Sequence, residues 1–449
     1  MTQILILGAG MSSSSLITYL LNKSEAKNWH LLVCDQSLDL AKKKVANHPR
    51  GEAISFDIFD EGERHAVISK ADVVVSMLPA SFHIIVAKSC LQYGKHMLTA
   101  SYITEELGAL EAEFKAKGLL FLGELGLDPG IDHMSAMKVI DHIRTQGHEL
   151  TGFETFTGGL LSEASEEGNP WQYKFTWNPR NVVLAGQGIV KFRQEGRYKY
   201  IPYHKLFRRT EIIHIPGHGY FEGYANRDSL KYLSLYHLQG IPTLYRGTLR
   251  RPGFCKAWNI FVQLGATDDT YQMENVAEMT HRQFLNSFLS FNPQDSVELK
   301  LAHYLGLDID GEEMFKLQWL GLFEETLVGL QKGSPAQILE HILRKKWTMT
   351  EEENDRIVMW HKFDFIDNGV HRQIQSHMVA VGENVTDTAM AKTVGLPLAI
   401  ATCLVAEGKV DLEPGMHIPT VAPLYEPILE ELAKLGFEFE EREIHMESV

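Results

Sequence analysis

The segment QILILGAGMSSS, residues 3–14, decides the fold of this chain. Four apolar residues typical of a buried strand lead directly into Gly8 and Gly10, and an amphipathic, helix-like segment follows. In a dinucleotide-binding fingerprint the first glycine allows a tight turn, the second lets the backbone approach a pyrophosphate, and the helix start offers N–H groups to it. Ser13 replaces the third glycine, and we expect it to loosen the helix–strand approach slightly. Glycines occur in many tight strand-to-helix turns. The dinucleotide-binding interpretation therefore depends on the position of this turn directly after the first strand.

The first 150 residues repeat this alternation of strand and helix. Apolar, β-rich runs occur at residues 3–8, 30–35, 52–57, 72–78, 96–100 and 119–124. Helix-length segments separate most of them, which predicts an α/β fold with a Rossmann-type doubly wound parallel sheet. Ligands of such sheets lie outside the carboxyl ends of the strands, so we expect the site in the loops that begin at Leu78, Ala100 and Glu124.

Two aspartates end the second and third predicted strands. Asp35 stands where a carboxylate accepts hydrogen bonds from the ribose hydroxyls of a dinucleotide, and it would repel a 2′-phosphate. NAD is therefore preferred as the cofactor, while NADP remains open. The alternative for Asp35 is a turn aspartate. Asp57 could contact the adenine, and for this residue the turn role is about as good an explanation.

The composition excludes several classes of partner. The chain has 449 residues, and its formal net charge of −15 has the wrong sign for a protein that coats nucleic acid. The 4 Cys are far apart and form no CxxC pair, which favours a reducing compartment, so we expect a cytoplasmic protein. No apolar run reaches the ~18 residues of a membrane span, and we expect no membrane association. The 20 His include no HExxH motif, so we predict no metal site. The short basic run at residues 42–44 is predicted to be a solvated helix face.

From about residue 152 the pattern changes to isolated strands, aromatic-rich loops and helices, which is typical of an α+β domain with a helical part. Strands are predicted at 208–215, 258–265 and 436–445, mostly helix at 275–356, a hairpin of 357–365 with 373–382, and a helix at 388–407. The hairpin is indicated by Asp367-Asn368-Gly369 between its two strands. Asp132, just before a helical pattern, is predicted to be an N-cap rather than a base.

Seven motifs, in order along almost the whole chain, resemble the glutamate-forming saccharopine dehydrogenase (saccharopine reductase) family. They are TASYIT (99–104), GELGLDPGIDHM (123–134), NPWQYKFTW (169–177), YANRDSLKY (224–232), RGTLR (246–250), WLGLF (319–323) and AMAKTVGLPLAIAT (389–402). The resemblance implies a pyridine-nucleotide enzyme that interconverts saccharopine with glutamate and 2-aminoadipate 6-semialdehyde. Fungal members that use NADP resemble VACR at the end of the second strand, where this chain reads VCD, which strengthens the expectation of NAD.

The resemblance also implies the site residues and the domains. The expected nucleotide contacts are Gly8, Gly10, Met11, Ser12, Ser13, Asp35, Asp57, Leu78, Ala100, Ser101, Leu127, Asp128, Pro129 and Asn178. The expected saccharopine contacts are Ser101, Tyr102, Asp128, Arg227, Thr248, Leu249 and Arg250. The expected domains are a nucleotide domain of 1–130 plus about 385–449, an α+β substrate and dimerisation domain of 131–270 plus about 357–384, and a helical subdomain of about 271–356. We expect a homodimer.

The residue types suit this chemistry. Saccharopine carries three carboxylates, and Arg227 and Arg250 can each hold a carboxylate with two parallel hydrogen bonds, although both could instead be surface arginines. Asp128 could order or deprotonate the secondary amine, and Tyr102 could donate a hydrogen bond to the carbinolamine oxygen; a turn aspartate and a half-buried aromatic are the alternatives. Thr157 stands where relatives often have Cys, and a hydroxyl cannot take over thiol proton transfer at neutral pH.

Two other functions remain open at this point. The first is a related imine-reducing dehydrogenase, such as a carboxynorspermidine or opine-like enzyme, which performs the same hydride step on another secondary amine. The paired arginines favour a substrate with several carboxylates over a polyamine. The second is a non-catalytic NAD-binding regulator that kept the fold, which predicts nucleotide affinity without turnover.

Overall fold

The computed structural model describes residues 1–445, and these divide into two compact units. The first unit comprises Met1–Leu150, Phe365–His371 and Met378–Arg442, and the second comprises Thr151–Asp364, Arg372–His377 and, among the described residues, 443–445. The helices between residues 271 and 356 fall within the second unit. The three-domain division stays a prediction.

The first 150 residues contain six strands and seven helices in alternation. The strands are β1 (Thr2–Leu7), β2 (Trp29–Asp35), β3 (Gly51–Ser55), β4 (Val73–Ser76), β5 (His96–Thr99) and β6 (Leu120–Leu122). The helices are α1 (Ser14–Lys27), α2 (Leu38–Val45), α3 (Glu61–Ile68), α4 (His83–Tyr93), α5 (Glu105–Gly108), α6 (Glu111–Ala116) and α7 (Ile131–Thr145), with 3₁₀ turns at Met11–Ser13 and Ala80–Phe82. Each strand lies within two residues of its predicted bounds.

The remaining elements follow in chain order. The strands are β7 (Glu149–Leu161), β8 (Ile189–Gln194), β9 (Arg197–Pro202), β10 (Thr210–Ile215), β11 (Gly219–Ala225), β12 (Thr243–Arg250), β13 (Asp355–Asp367), β14 (Val370–Val381), β15 (Gly415–His417) and β16 (Glu440–His445). The helices are α8 (Pro179–Val183), α9 (Tyr203–Leu206), α10 (Tyr232–Leu235), α11 (Phe254–Leu264), α12 (His281–Asn286), α13 (Val297–Leu305), α14 (Glu312–Trp319), α15 (Pro335–Trp347), α16 (Ala389–Ala406) and α17 (Ala422–Lys434), with 3₁₀ turns at Glu163–Ser165 and Val276–Glu278.

The sheet of the first unit is parallel throughout and has the order β15-β6-β5-β4-β1-β2-β3. The chain runs outward from β1 through β2 to β3, and then continues on the other side of β1 with β4. The strand order therefore reverses between β1 and β4, where a doubly wound sheet opens a crevice for a ligand. This topology confirms the predicted Rossmann-type sheet.

The second sheet is mixed, which confirms the predicted α+β region. Its order is β10-β11-β12-β7-β13-β14-β16, with β8 paired to β12 and β9 paired to β8. The pairs β10–β11 and β11–β12 are antiparallel, whereas β12 and β7 are parallel. In this register Thr248 lies between Tyr224 of β11 and Thr157 of β7. The predicted hairpin is β13–β14, and Asn368 and Gly369 at its turn both have positive φ, as a two-residue hairpin turn requires.

Two local predictions are wrong. Residues 258–265 form most of helix α11 rather than a strand. Its polar Lys256, Asn259 and Gln263 are spaced three and four residues apart on one helix face, so a helical period is present once residues 254–257 are included. Asp132 is not the N-cap of α7, because Gly130 occupies that position and Asp132 lies in the first helical turn.

Helix α16 supports the glycine turn of the first unit. It has 18 residues with a mean hydropathy of 1.7, enough to cross a membrane by length and composition, but 72% of it is buried inside the protein, as in a core helix. It packs along α1. A Cβ atom at Gly395 would lie 2.9 Å from the backbone nitrogen of Leu16 and 3.2 Å from the carbonyl oxygen of Ser12. Only glycine allows α16 to approach the start of α1 this closely.

This contact predicts the effect of Gly395→Val. The added side chain must displace backbone rather than a flexible side chain, so we expect a loss of about 2 kcal/mol in the free energy of unfolding, as for other overpacked sites. Denaturant unfolding followed by circular dichroism measures it. Gly108→Val is the matched control, because nothing lies within 4 Å of a Cβ atom at that helical glycine. Equal stability of the two variants would contradict the close packing.

Candidate active site

Three backbone segments converge at Gly8, directly after β1. The Gly8 N–H donates to the carbonyl oxygen of Cys34 at 2.7 Å. Gly8 has a φ of +105°, and a Cβ atom there would lie 3.0 Å from the carbonyl carbon and oxygen of Met77 in the loop after β4. A side chain would therefore separate the ends of β1 and β4, where the strand order reverses. The tight turn requires glycine at this position.

The turn between Gly10 and Ser13 leaves room for a ligand in front of α1. No atom lies within 4 Å of the position that a Cβ atom would take at Gly10. The Ser13 hydroxyl is buried and donates to the carbonyl oxygen of Gly10 at 2.8 Å. Ser13 therefore closes the turn, and its effect on the helix–strand approach stays a prediction. Open space at a helix start suits the pyrophosphate of a dinucleotide, while Met11 and Ser12 form the outer side of the turn.

Asp35 is tied to the turn by both carboxylate oxygens. Its Oδ2 accepts a hydrogen bond from the Ala9 N–H at 2.7 Å, and its Oδ1 accepts one from the Ser37 N–H at 2.9 Å. Each oxygen keeps a second lone pair for a ribose hydroxyl, so the half-buried carboxylate fits the dinucleotide prediction as well as the turn role. Asp57 is exposed, and its Oδ1 accepts a hydrogen bond from the Phe59 N–H at 3.0 Å. This contact is the one expected of a turn aspartate.

Lys44 is not a solvated residue of a helix face, in contrast to the prediction. Its Nζ contacts the Ser14 hydroxyl at the start of α1, and burial lowers the pKa of its ammonium group. A cation beside the start of α1 is a feature that the sequence did not reveal, because Lys44 and Ser14 are 30 residues apart along the chain. Lys42 and Lys43 are exposed, as predicted.

The two predicted catalytic side chains lie together on the loops after β5 and β6. The Tyr102 hydroxyl donates to Asp128 Oδ1 at 3.1 Å. Backbone hydrogen bonds join the same loops, from the Glu124 N–H to the Ser101 carbonyl at 3.0 Å and from the Leu125 N–H to the Thr99 carbonyl at 3.2 Å. The Asp128–Pro129 peptide is cis. Among the other predicted contacts here, Leu78 and Ala100 are half-buried, while Leu127 and Pro129 are buried.

Glu124, in the loop after β6, contacts the loop after β5 and helix α7. Its carboxylate is 4% exposed; Oε1 accepts the Ile103 N–H at 3.2 Å, and Oε2 lies 2.8 Å from Nε2 of the fully buried His133. Asp132 Oδ1 accepts the Gly130 N–H at 2.6 Å, which holds the start of α7. Glu124 and His133 are thus positioned to fix the loops that carry Tyr102 and Asp128. Glu124 and His133 both lie in the motif of residues 123–134, but the sequence does not indicate that their side chains are in contact.

Arg250, in the second unit, is a buried cation that has no carboxylate partner within the described part of the chain. It is 6% exposed, and its guanidinium lies over the rings of Tyr173, Tyr224 and Phe254 at 4.9, 5.9 and 5.3 Å. One Nη donates to the Leu249 carbonyl at 2.8 Å, while Nε has no partner among the described residues. A buried cation of this kind is costly unless an anion joins it, so the position suits a carboxylate ligand.

Two further polar groups near Arg250 have no hydrogen-bond partner within residues 1–445. They are the Thr157 hydroxyl and the Tyr173 hydroxyl, both buried. Burial raises the pKa of Tyr173 to about 12, so this hydroxyl is a neutral donor. Buried polar groups are normally hydrogen-bonded, which indicates that this region of the second unit is built to receive a polar ligand. The sequence did not single out Tyr173, although it lies in the motif of residues 169–177.

The other predicted contacts of the second unit occupy different settings. Thr248 is half-buried and pairs through its hydroxyl with Tyr224, whereas the Leu249 side chain is fully buried, which leaves its backbone as the part that could reach a ligand. Arg227 is exposed, with a φ of +50° in the segment after β11. Asn178 is the N-cap of α8, and its Oδ1 accepts the Arg180 N–H at 3.0 Å. The ligand roles of these four residues stay predictions.

Comparison with known proteins identifies the family. Two family models match, the saccharopine dehydrogenase NADP binding domain at residues 4–122 and the saccharopine dehydrogenase C-terminal domain at 126–437. The chain is 30% identical to the NADP(+)-dependent, L-glutamate-forming saccharopine dehydrogenase of Schizosaccharomyces pombe over 100% of both chains. It is 31% identical to the mitochondrial alpha-aminoadipic semialdehyde synthase of Rattus norvegicus, covering 97% of this chain and 47% of that one.

A solved structure agrees with these matches over the full length. The apo saccharopine dehydrogenase (L-Glu forming) of Saccharomyces cerevisiae superposes with a TM-score of 0.89 at 29% sequence identity, covering 99% of this chain and 100% of that chain. Both family models, a relative of equal length and a solved structure therefore lead to one conclusion, which confirms the resemblance seen in the seven motifs. The chain belongs to the saccharopine dehydrogenase family.

Proposed function

We propose that this protein is a glutamate-forming saccharopine dehydrogenase. It converts saccharopine, water and an oxidised nicotinamide dinucleotide into glutamate, 2-aminoadipate 6-semialdehyde and the reduced dinucleotide, or catalyses the reverse. The full-length similarity to relatives with this name carries the proposal. The buried, carboxylate-free Arg250 supports the substrate class, because saccharopine has three carboxylates.

The first unit supplies the dinucleotide-binding surface in this proposal. When bound, the nicotinamide ring supplies the acceptor for a hydride. The turn from Gly8 to Ser13 and the start of α1 bind the pyrophosphate, and Asp35 accepts the ribose hydroxyls while its bonds to Ala9 and Ser37 hold it in place. The loops that begin at Leu78 and Ala100 lie at the carboxyl edge of the same sheet.

Asp128 and Tyr102 handle protons in the proposed reaction. The secondary amine of saccharopine must lose its proton before the neighbouring carbon gives up hydride, and the resulting imine must add water. Asp128 accepts the amine proton, and the Tyr102 hydroxyl, 3.1 Å from Asp128 Oδ1, orients that carboxylate. Once Asp128 has taken up the amine proton, the single proton of the Tyr102 hydroxyl becomes available as a donor for the oxygen of the carbinolamine.

The activity is tested with purified protein, saccharopine, and either NAD or NADP, by the absorbance of the reduced nicotinamide. We expect reduction of at least one dinucleotide that depends on saccharopine. Absence of reduction with both, despite measurable dinucleotide binding, would overturn the proposal and favour a non-catalytic regulator.

We further propose that NAD is the preferred dinucleotide. The Schizosaccharomyces pombe relative and the family model that matches residues 4–122 are named for NADP, so these comparisons point the other way. NAD is supported by the Asp35 carboxylate at the end of β2, which would place a negative charge beside a 2′-phosphate. Lys44, near the start of α1, is the nearby cation that could favour the additional phosphate instead.

The preference is tested with Asp35→Asn, which removes the charge and keeps one acceptor oxygen. We expect kcat/KM for NADP relative to NAD to rise about tenfold, which corresponds to about 1.4 kcal/mol of relieved repulsion. Asp57→Asn is the control, because Asp57 is exposed and follows β3. It should leave the ratio of kcat/KM for NADP to kcat/KM for NAD unchanged. A preference for NADP in the unmodified protein would contradict the role given to Asp35.

The substrate role of Arg250 is tested with Arg250→Met. Loss of the guanidinium should raise the KM for saccharopine on the order of 100-fold, since hydrogen bonds to charged groups are worth about 1.5–3 kcal/mol each, without changing dinucleotide affinity. The free energy of unfolding should not fall, because the variant removes a buried cation that has no carboxylate partner.

The neighbouring Arg251 is the matched control for this variant. Its Nε lies 2.7 Å from Glu166 Oε1 and its Nη2 3.1 Å from Glu166 Oε2, in a largely buried ion pair. Arg251→Met should therefore destabilise the protein and leave the KM for saccharopine unchanged. An unchanged KM in Arg250→Met would remove Arg250 from the substrate pocket.

A further inference from the structure

A buried histidine lies directly behind Ser101 in the first unit. His83 begins α4 and is fully buried. Its Nε2 lies 2.8 Å from the Ser101 hydroxyl and 3.3 Å from the Thr99 hydroxyl, and its Nδ1 lies 2.9 Å from the Ser76 hydroxyl. Three hydroxyl groups at the carboxyl ends of β4 and β5 thus surround one imidazole. No sequence pattern indicates this cluster, because His83 is part of an ordinary apolar helix start.

The imidazole is neutral at the pH of an ordinary assay. Burial lowers the pKa of His83 to about 4, and no charged group contributes to the shift. A neutral imidazole donates one hydrogen bond and accepts another. If Nδ1 donates to Ser76, Nε2 accepts the Ser101 hydroxyl proton; if Nε2 donates to Ser101, the Ser101 proton is directed outward. In either state the ring fixes where the Ser101 oxygen lies.

The arrangement does not form a route for protons to solvent. Ser76 and Thr99 are fully buried, and only Ser101 is partly exposed. The Ser101 N–H also donates to the Thr99 hydroxyl at 3.2 Å, so the backbone and the side chain of Ser101 are held by the same group of residues. The Nε2 atom of His83 therefore contacts Ser101 and the threonine that holds its backbone, while the contact of Nδ1 with Ser76 fixes the ring itself.

We propose that His83 is a positioning residue, which holds the Ser101 hydroxyl in the orientation that the bound dinucleotide and saccharopine require. The proposal rests on the proposed function and on the expectation, implied by the family resemblance, that Ser101 contacts both ligands. Ser101 is the residue before Tyr102, whose hydroxyl meets Asp128, so a displaced Ser101 also disturbs the catalytic pair. A purely structural histidine would instead fill space under β4 and β5 without a specific effect on Ser101.

Two amide variants separate these roles. The amide of Gln reaches approximately the position of Nε2, whereas the amide of Asn reaches that of Nδ1. His83→Gln therefore retains the contact with Ser101, and His83→Asn retains only the contact with Ser76. Both replace the buried ring with an amide, so each is the matched control of the other for loss of packing.

The experiment is a double-mutant cycle on kcat/KM for saccharopine, with both variants made in the unmodified protein and in Ser101→Ala. We expect His83→Asn to lower kcat/KM about tenfold and His83→Gln less than threefold in the unmodified protein. In Ser101→Ala the two His83 variants should have no further effect. Equal losses from Asn and Gln, or the same loss with and without the Ser101 hydroxyl, would overturn the proposal.

A second readout keeps this test independent of the proposed function. Calorimetry gives the dissociation constant of the preferred dinucleotide for the same six proteins, whether or not saccharopine is turned over. If the unmodified protein reduces neither dinucleotide, the proposed function fails. The positioning role is then judged on the dissociation constants. His83→Asn should weaken dinucleotide binding in the unmodified protein and should not weaken it further in Ser101→Ala. A loss that persists in Ser101→Ala would overturn it.

Discussion

The close approach of three main-chain segments around Gly8 is the constraint on which the first unit depends. Gly8 donates to Cys34 at the end of β2 and abuts the Met77 carbonyl after β4, and Asp35 accepts the neighbouring Ala9 N–H. These contacts are made by the protein itself, so the turn in front of α1 has its shape before any ligand arrives. Gly395 of α16 then allows a second helix to support the start of α1.

The parts of the fold that could be predicted are those with a clear local pattern. The strands of the first sheet follow from short apolar runs that alternate with helices, and the β13–β14 hairpin follows from Asn368-Gly369. Helix α11 differs from the predicted strand because that strand begins at residue 258 and leaves out the first turn, in which Lys256 starts the helical spacing continued by Asn259 and Gln263. The contact between Tyr102 and Asp128 was predictable only as a shared sheet edge, since the sequence does not specify side-chain distances.

Residues that act through partners distant in sequence could not be predicted at all. His83 touches Ser101, Lys44 touches Ser14, and neither pair has a spacing that signals contact. In the second unit, Thr157 faces Thr248 across paired strands with its hydroxyl unpartnered, beside a cation without a carboxylate. The threonine hydroxyl cannot transfer a proton at neutral pH as a thiol can, so we assign proton transfer to Asp128 and Tyr102. The pair of strands β7 and β12 then serves to bind the polar substrate.

In the proposed reaction, the carbon of saccharopine that is oxidised becomes the aldehyde carbon of 2-aminoadipate 6-semialdehyde. The secondary amine has two carbon neighbours, and oxidation at the other one would release lysine and 2-oxoglutarate instead. Mass spectrometry of a reaction with saccharopine and the preferred dinucleotide measures this directly. We expect glutamate and 2-aminoadipate 6-semialdehyde in amounts equal to the reduced nicotinamide. Lysine and 2-oxoglutarate as the products would contradict it.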